Sequence, residues 1–378
     1  MKKLLCCILI MIMTCIVPLG ALAQTEPNIR ARSAVLIDAS NGEILYAKDE
    51  SEKLPMASTT KIMTALLALE YGDLEEIVTV DNSASGVEGS SMFLGKGEKI
   101  SLENLLYGLM LWSGNDAAKA IAIHIAGSVE SFVSMMNAKA KELGALHTNF
   151  VNPNGLPAEN HYTTANDLAC IAYHAMKNPM FAQIVSTKSR KIPWERHEYD
   201  RVLTNHNKLL TRYDDCTGIK TGFTKAAGKC LVSSATRDGV NLICVVLNSP
   251  DMYNECAQML DYGFSVVELV TLMHKDDYVG TIIVKNGVEV NLEVYLNDDI
   301  IISAVKNNNS QPSIKLILNE SVEAPVSKGQ QLGCIQVLLD DEVLKEYPLF
   351  ASCDVHRAKF KDYTGRILSD WLKGAWNR

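Results

Sequence analysis

The stretch MASTTKIMTALLALE, Met56 to Glu70, sets a serine and a lysine three residues apart at the head of an apolar run. Residues three apart share one face of an α-helix but point to opposite faces of a strand. Ser58 and Lys61 therefore meet only if a helical turn begins near Ser58. Ile62, Met63, Ala65, Leu66, Leu67, Ala68 and Leu69 leave the following helix almost no polar face, which predicts burial all round and carries Lys61 inward. Desolvation lowers the pKa of a buried amine, and a neutral amine can take a proton. Lys61 is thus a candidate general base and Ser58 a candidate nucleophile. The same spacing recurs at Ser303 and Lys306, but there it falls in a β-type run, and that second copy is set aside.

Around this stretch, 378 residues suit two domains with ample material for a core. The chain opens MKKLLCCILIMIMTCIVPLGALAQ, two lysines, an apolar run and then Ala21-Leu22-Ala23, which predicts a secretory signal peptide over residues 1–23 and hence export. Its removal leaves 34 basic against 44 acidic residues, about −10, which argues against nucleic acid as a partner. Seven scattered cysteines then remain, without a CxxC pair. They are read as mostly buried small apolar residues rather than a zinc site or a disulfide framework.

ARSAVLIDASNGEILYAKDE predicts two strands paired through Asn41-Gly42. Helical patterns follow over Thr60–Leu69, over Leu102–Leu111 after a Ser101 cap, over Asp116–Ala126 before Gly127, and over Val129–Leu143 before Gly144. From Gly218 the period changes to three strands, GIKTGFT, KCLVSSAT and VNLICVVLNS. Two strands, a helical cluster and three strands imply one sheet whose edges come from both ends of the segment, flanked by helices. The expected domain spans residues 24–264. Short alternating runs over 265–353 predict a small all-β second domain. Residues 354–378 predict an amphipathic helix with Phe360, Tyr363, Ile367, Leu368, Trp371, Leu372, Ala375 and Trp376 on one stripe and a net charge of about +4 over residues 356–378, suited to a membrane interface.

Two further motifs can serve an activated serine. Ser113-Gly114-Asn115 falls at a turn between two predicted helices and can present a hydroxyl and an amide together. Lys220-Thr221-Gly222 falls on the first late strand, where Lys220 and Gly222 face one way and Thr221 the other. Each alone is an ordinary helix cap or polar strand edge. Together, SxxK, SxN and KTG form the set found in penicillin-binding proteins and class A β-lactamases.

The chain resembles the low-molecular-mass penicillin-binding proteins that act as serine-type D-alanyl-D-alanine carboxypeptidases. Beyond the three motifs, GSSMFLGKGEKISLENLLYGLML, FVNPNGLPAENHYTTANDLA and GIKTGFTKAAGKCLVSSATRDG carry the likeness across roughly residues 30–265. The resemblance implies a β-lactamase-like antiparallel sheet flanked by helices, and acyl transfer by Ser58 on peptidoglycan stem peptides ending in D-Ala-D-Ala. It implies that Lys61 accepts the hydroxyl proton, Ser113 relays a proton to the leaving amine and Asn115 holds the peptide amide. It further implies that Lys220 keeps Lys61 neutral and, with Thr221, binds the substrate carboxylate beside Gly222. The backbone N–H groups of Ser58 and Phe223 would form the oxyanion hole. β-Lactam antibiotics would acylate the same serine, at the outer face of the cytoplasmic membrane or in the wall.

One departure stands out: no arginine lies between Arg237 and Arg357, where the family places a carboxylate clamp. Either Lys220 and Thr221 hold the carboxylate alone or substrate affinity is low. His161, in NPNGLPAENHYTTA, is read as a solvated loop histidine beside the cleft. No metal and no cofactor are expected. The rival readings are a β-lactamase, disfavoured by the want of a glutamate-bearing loop for deacylating water, and a catalytically silent wall-binding protein, disfavoured by the full motif set.

Overall fold

The computed structural model describes residues 26–306, 312–339, 341–365 and 371. The expected signal peptide and most of the C-terminal stripe lie outside them. The chain divides between Val266 and Val267 into two compact units.

The first unit opens with β1 (Ser33–Asp38) and β2 (Ile44–Lys48), joined through Gly42, whose φ of +84° suits a residue without Cβ. A 3₁₀ turn over Ala57–Thr60 leads into α1 (Lys61–Tyr71), and the short strands β3 (Ile77–Thr79) and β4 (Lys99–Ser101) pair with each other. Next come α2 (Leu102–Met110), α3 (Asn115–Ala126), α4 (Val129–Glu142), α5 (Ala165–Met176) and α6 (Pro179–Ser186). A hairpin of β5 (Ser189–Ile192) and β6 (Arg201–Thr204) and the short α7 (Leu209–Arg212) precede β7 (Cys216–Thr224), β8 (Gly228–Arg237), β9 (Val240–Ser249) and α8 (Met252–Val266).

These strands form one antiparallel sheet in the order β2-β1-β9-β8-β7. The expected arrangement holds: the N-terminal hairpin closes one edge and the first of the late strands forms the other. Central strands covered on both faces need continuous apolar runs, and β1 and six consecutive residues in each of β8 and β9 are buried. Val35, Ile37, Val232, Ile243 and Val245 join the core built on the helical cluster. Leu36 and Leu242 alternate to the other face, where Gly263 of α8 packs so closely that a Cβ would lie 2.8 and 2.6 Å from their methyl groups.

Caps read from the sequence are in place. Ser101 Oγ accepts the N–H of Asn104, and Gly127 closes α3 in the left-handed region at φ +77°. The second unit is all-β. A six-stranded sheet and a pair of strands enclose an apolar core that includes Ile282, Val284, Leu292, Val294, Ile335, Val337 and Leu349. Ser303, the discarded copy, sits on a strand, Ile300–Val305. The seven cysteines are free; three are buried and four are partly exposed, so burial fits fewer of them than expected. Among the described residues no helix is long and apolar enough to cross a membrane.

Candidate active site

Ser58 lies on the 3₁₀ turn and Lys61 is the first residue of α1, so the three-residue spacing becomes a contact. Lys61 Nζ is 3.0 Å from Ser58 Oγ, 2.7 Å from Asn115 Oδ1 and 2.6 Å from the Asn154 carbonyl oxygen. Asn115 Nδ2 donates to the Glu88 carbonyl at 2.6 Å, which fixes the amide with its oxygen toward the lysine. Lys61 is fully buried, as is all of α1 through Ala68.

This arrangement decides the state of the amine. Burial pushes its pKa well below the ordinary lysine value, and the charge of Lys220 lowers it further against a smaller opposing effect of Asp116. A neutral amine carries two N–H donors and one lone pair. Two of its three neighbours are carbonyl-type oxygens that can only accept, so both N–H groups go to Asn115 and Asn154. The lone pair is left facing the Ser58 hydroxyl.

The surrounding loops hold that geometry. Asn152 Oδ1 accepts the N–H groups of Asn154 and Gly155 at 3.3 and 2.7 Å, and Thr64 Oγ1 donates to the Pro153 carbonyl at 2.6 Å. The buried Asp116 accepts from Ser91 Oγ and from the backbone N–H groups of Met92, Leu94 and Ala117, tying the 91–94 loop to the start of α3. Ala57 adopts φ +50°, a strained conformation for a non-glycine residue immediately before the nucleophile.

His161 corrects the sequence reading. It is 6% exposed, not solvated, because it closes over the apolar ring of Phe150, 6.1 Å away. The N–H of Val151 donates to Nδ1 at 3.0 Å, which leaves Nε2 to donate to Thr60 Oγ1 at 2.9 Å, and Thr60 donates on to the Ala57 carbonyl at 2.8 Å. Burial lowers the His161 pKa to about 4, so the ring is neutral near pH 7 and links the serine turn to the loop bearing Asn154.

Ser113 is 5% exposed, with φ +64°, at the turn between α2 and α3; Gly114, not Ser113, is the cap of α3. Lys220, Thr221, Gly222 and Phe223 lie on the edge strand β7. Lys220 is 1% exposed, its Nζ donates to the Thr221 carbonyl at 3.1 Å, and burial lowers its pKa to about 7. Gly222 permits close approach to the serine turn. A Cβ there would lie 3.0 Å from the Met56 oxygen and 3.1 Å from the Ser58 nitrogen. Phe223 is 65% exposed at the edge of the strand. The Asn154 carbonyl, Glu88, Asp116 and His161 carry no motif signature. Only Asp116, an acidic residue in a first helical turn, offers a sequence signal.

Residues 21–251 match the family described as D-alanyl-D-alanine carboxypeptidase. The chain belongs to that family. Residues 268–357 match the C-terminal domain of penicillin-binding protein 5. The D-alanyl-D-alanine carboxypeptidase DacF of Bacillus subtilis is 36% identical over 99% of this chain and 100% of its own length. Penicillin binding protein 5 of Haemophilus influenzae has a TM-score of 0.65 at 31% identity, covering 88% of this chain and 99% of that one. A peptidoglycan synthesis regulatory factor of Streptococcus pneumoniae has a TM-score of 0.75 at 25% identity, covering 87% and 100%. This chain has no arginine between β9 and Arg357.

Proposed function

We propose that the protein is a serine-type D-alanyl-D-alanine carboxypeptidase that removes the terminal D-Ala from peptidoglycan stem peptides through an acyl-enzyme on Ser58. The observation that carries this reading is the 3.0 Å approach of the buried Lys61 Nζ to Ser58 Oγ. Lys61 takes the hydroxyl proton as Ser58 Oγ bonds to the carbonyl carbon between the two D-alanines. The developing oxyanion is held by the N–H groups of Ser58 and Phe223. The C–N bond then breaks as Ser113 passes its proton to the departing amine and regains one from the Lys61 ammonium, which leaves Lys61 neutral. Water attacks the ester, Lys61 accepts its proton, and that proton passes to Ser58 Oγ as the ester C–O bond breaks and the acid is released. Asn115 holds the peptide amide, and Lys220 and Thr221 beside Gly222 hold the terminal carboxylate. β-Lactam antibiotics acylate the same serine.

A labelled penicillin tests this directly. The adduct is expected on Ser58 and is expected to disappear in Ser58→Ala. Labelling elsewhere, or none, overturns the reading, and release of the label within seconds would make the protein a β-lactamase instead.

Because only a protonated Lys220 attracts a carboxylate, its pKa of about 7 sets a pH dependence. kcat/KM reports the free enzyme, so for a peptide ending in a free carboxylate it is expected to fall as pH rises through about 7. On the acid side it falls again, as Lys61 gains a proton. A peptide ending in an amide should lack the alkaline decline; an identical decline for both removes Lys220 from carboxylate binding.

The C-terminal segment would hold the enzyme at the outer face of the cytoplasmic membrane near its substrate. In its described part, Phe360 is 84% and Trp371 69% exposed, and Tyr363 donates to Asn286 Oδ1 at 3.1 Å. Deletion of residues 363–378 is expected to abolish co-sedimentation with anionic vesicles while penicillin labelling persists. Equal partition of truncated and full-length protein would sink this anchor.

A further inference from the structure

One exposed aromatic cluster lies outside this machinery. The connection between β5 and β6 contains Trp194, His197 and Tyr199, whose rings pack together with centroids 4.1 Å apart for Trp194 and His197, 5.7 Å for Trp194 and Tyr199, and 5.3 Å for His197 and Tyr199. Tyr199 is 63% exposed, and Phe93 on the neighbouring loop is 67% exposed. Single exposed apolar side chains are common, but an aromatic group rimmed by polar residues marks an interaction surface.

The cluster is tied to a loop that leads toward the active site. The guanidinium of buried Arg201 lies 4.6 Å from the centre of the Trp194 ring, pairs with buried Glu98 at 3.0 Å and donates to the Phe93 carbonyl at 3.2 Å. Glu195 accepts the N–H of Lys99 at 2.8 Å. These bonds join the hairpin to the 91–99 loop. The same loop is held by Asp116, and just before it the Ser90 carbonyl accepts the N–H of Asn115 at 2.7 Å. An unbroken series of bonds thus runs from the aromatic rings to the residue that holds Lys61. Such preorganisation favours binding because little ordering is left to do.

The rim identifies the ligand class. Within this connection Glu198 and Asp200 are exposed and Glu195 is half-buried, and entry into a membrane would bury these carboxylates at high cost. A sugar ring presents a C–H face that stacks on an aromatic ring and a girdle of hydroxyls that carboxylates accept from. We propose that Phe93, Trp194, His197 and Tyr199 form a saccharide platform for the N-acetylated amino-sugar backbone to which the stem peptide is attached. The inference rests on the carboxypeptidase reading and adds that the enzyme selects stem peptides still linked to glycan.

The test uses the full chain and two substrates, a stem pentapeptide on its disaccharide and the same peptide free. Tyr199→Ala and Trp194→Ala are expected to lower kcat/KM on the linked substrate about fivefold, with turnover of the free peptide and penicillin acylation unchanged. Binding of tetra-N-acetylchitotetraose, followed by tryptophan fluorescence in Tyr199→Ala, is expected to weaken by a similar factor. Trp194 supports Arg201, so a fold defect there would lower both substrates together; exposed Tyr199 is free of that ambiguity. Equal loss on both substrates in Tyr199→Ala, no loss on either, or a loss of vesicle binding in its place overturns the platform. Absence of penicillin labelling at Ser58 would overturn the carboxypeptidase reading, and the chitotetraose measurement would still decide the platform.

Discussion

Replacing Lys61 with methionine is expected to slow acylation of Ser58 by labelled penicillin by about 10²- to 10⁴-fold, the usual contribution of a positioned base. Methionine keeps an unbranched stem for the fully buried position and removes only the amine. The Asn115 and Asn154 oxygens then lose their donor, at about 1–3 kcal/mol for each buried acceptor left unpaired, so a fall in Tm should accompany the kinetic loss. Lys61→Arg separates two roles that methionine cannot. A guanidinium keeps its charge in proteins and has no lone pair to offer. If Lys61 acted as a cation, arginine would retain much of the rate; as a base, arginine should be as inactive as methionine and less stable, because it buries an unpaired charge. Stopped-flow acylation kinetics with a melting curve for each variant decide this. A methionine variant acylated within about tenfold of the parent would remove Lys61 as the base.

The serine and lysine were legible because two signals coincide, a three-residue spacing and a helix with no polar face to give the lysine an exit. The sheet was legible because β9 holds a continuous apolar run, LICVVL, and Asn41-Gly42 encodes a turn. What escaped belongs to the tertiary level. The Asn154 partner of Lys61 is a backbone oxygen, which any residue could supply. His161 stands in a polar stretch that suggests solvent, yet Phe150 and the Thr60 hydroxyl, 101 residues away, enclose it. The helices over Ala165–Met176, Pro179–Ser186 and Met252–Val266 and the β5–β6 hairpin carry weaker local signals. The hairpin is a short polar two-stranded element whose stability comes from Arg201 and Glu98, a pair 103 residues apart. Ser113 illustrates a further limit: its place between two helices is readable, whereas its left-handed backbone, with Gly114 taking over the cap, is set by packing.

Gly155→Ala is expected to be the most damaging single-methyl addition near the site. Gly155 has φ +88°, where an L-residue is strained, and a Cβ there would lie 1.9 Å from the Ala57 oxygen and 2.4 Å from its carbon. Both are backbone atoms, so no rotamer relieves the contact; either the 152–155 loop or the serine turn must move. If the loop moves, Asn154 leaves Lys61 and one N–H loses its acceptor, freeing the amine to turn from Ser58. If the turn moves, the Thr60 bond to the Ala57 carbonyl and the left-handed Ala57 conformation are disturbed, and Ser58 shifts with them. Stability should fall by about 3 kcal/mol or more, roughly 6–12 °C in Tm for a unit of this size, with acylation reduced at temperatures where the variant is folded. Gly97→Ala is the control: at φ +69° with open space around its Cβ position it carries only the conformational strain, about 1 kcal/mol. Similar melting temperatures for the two variants would mean that the loop does not press on the serine turn, and the close packing that holds Asn154 against Lys61 would have to be given up.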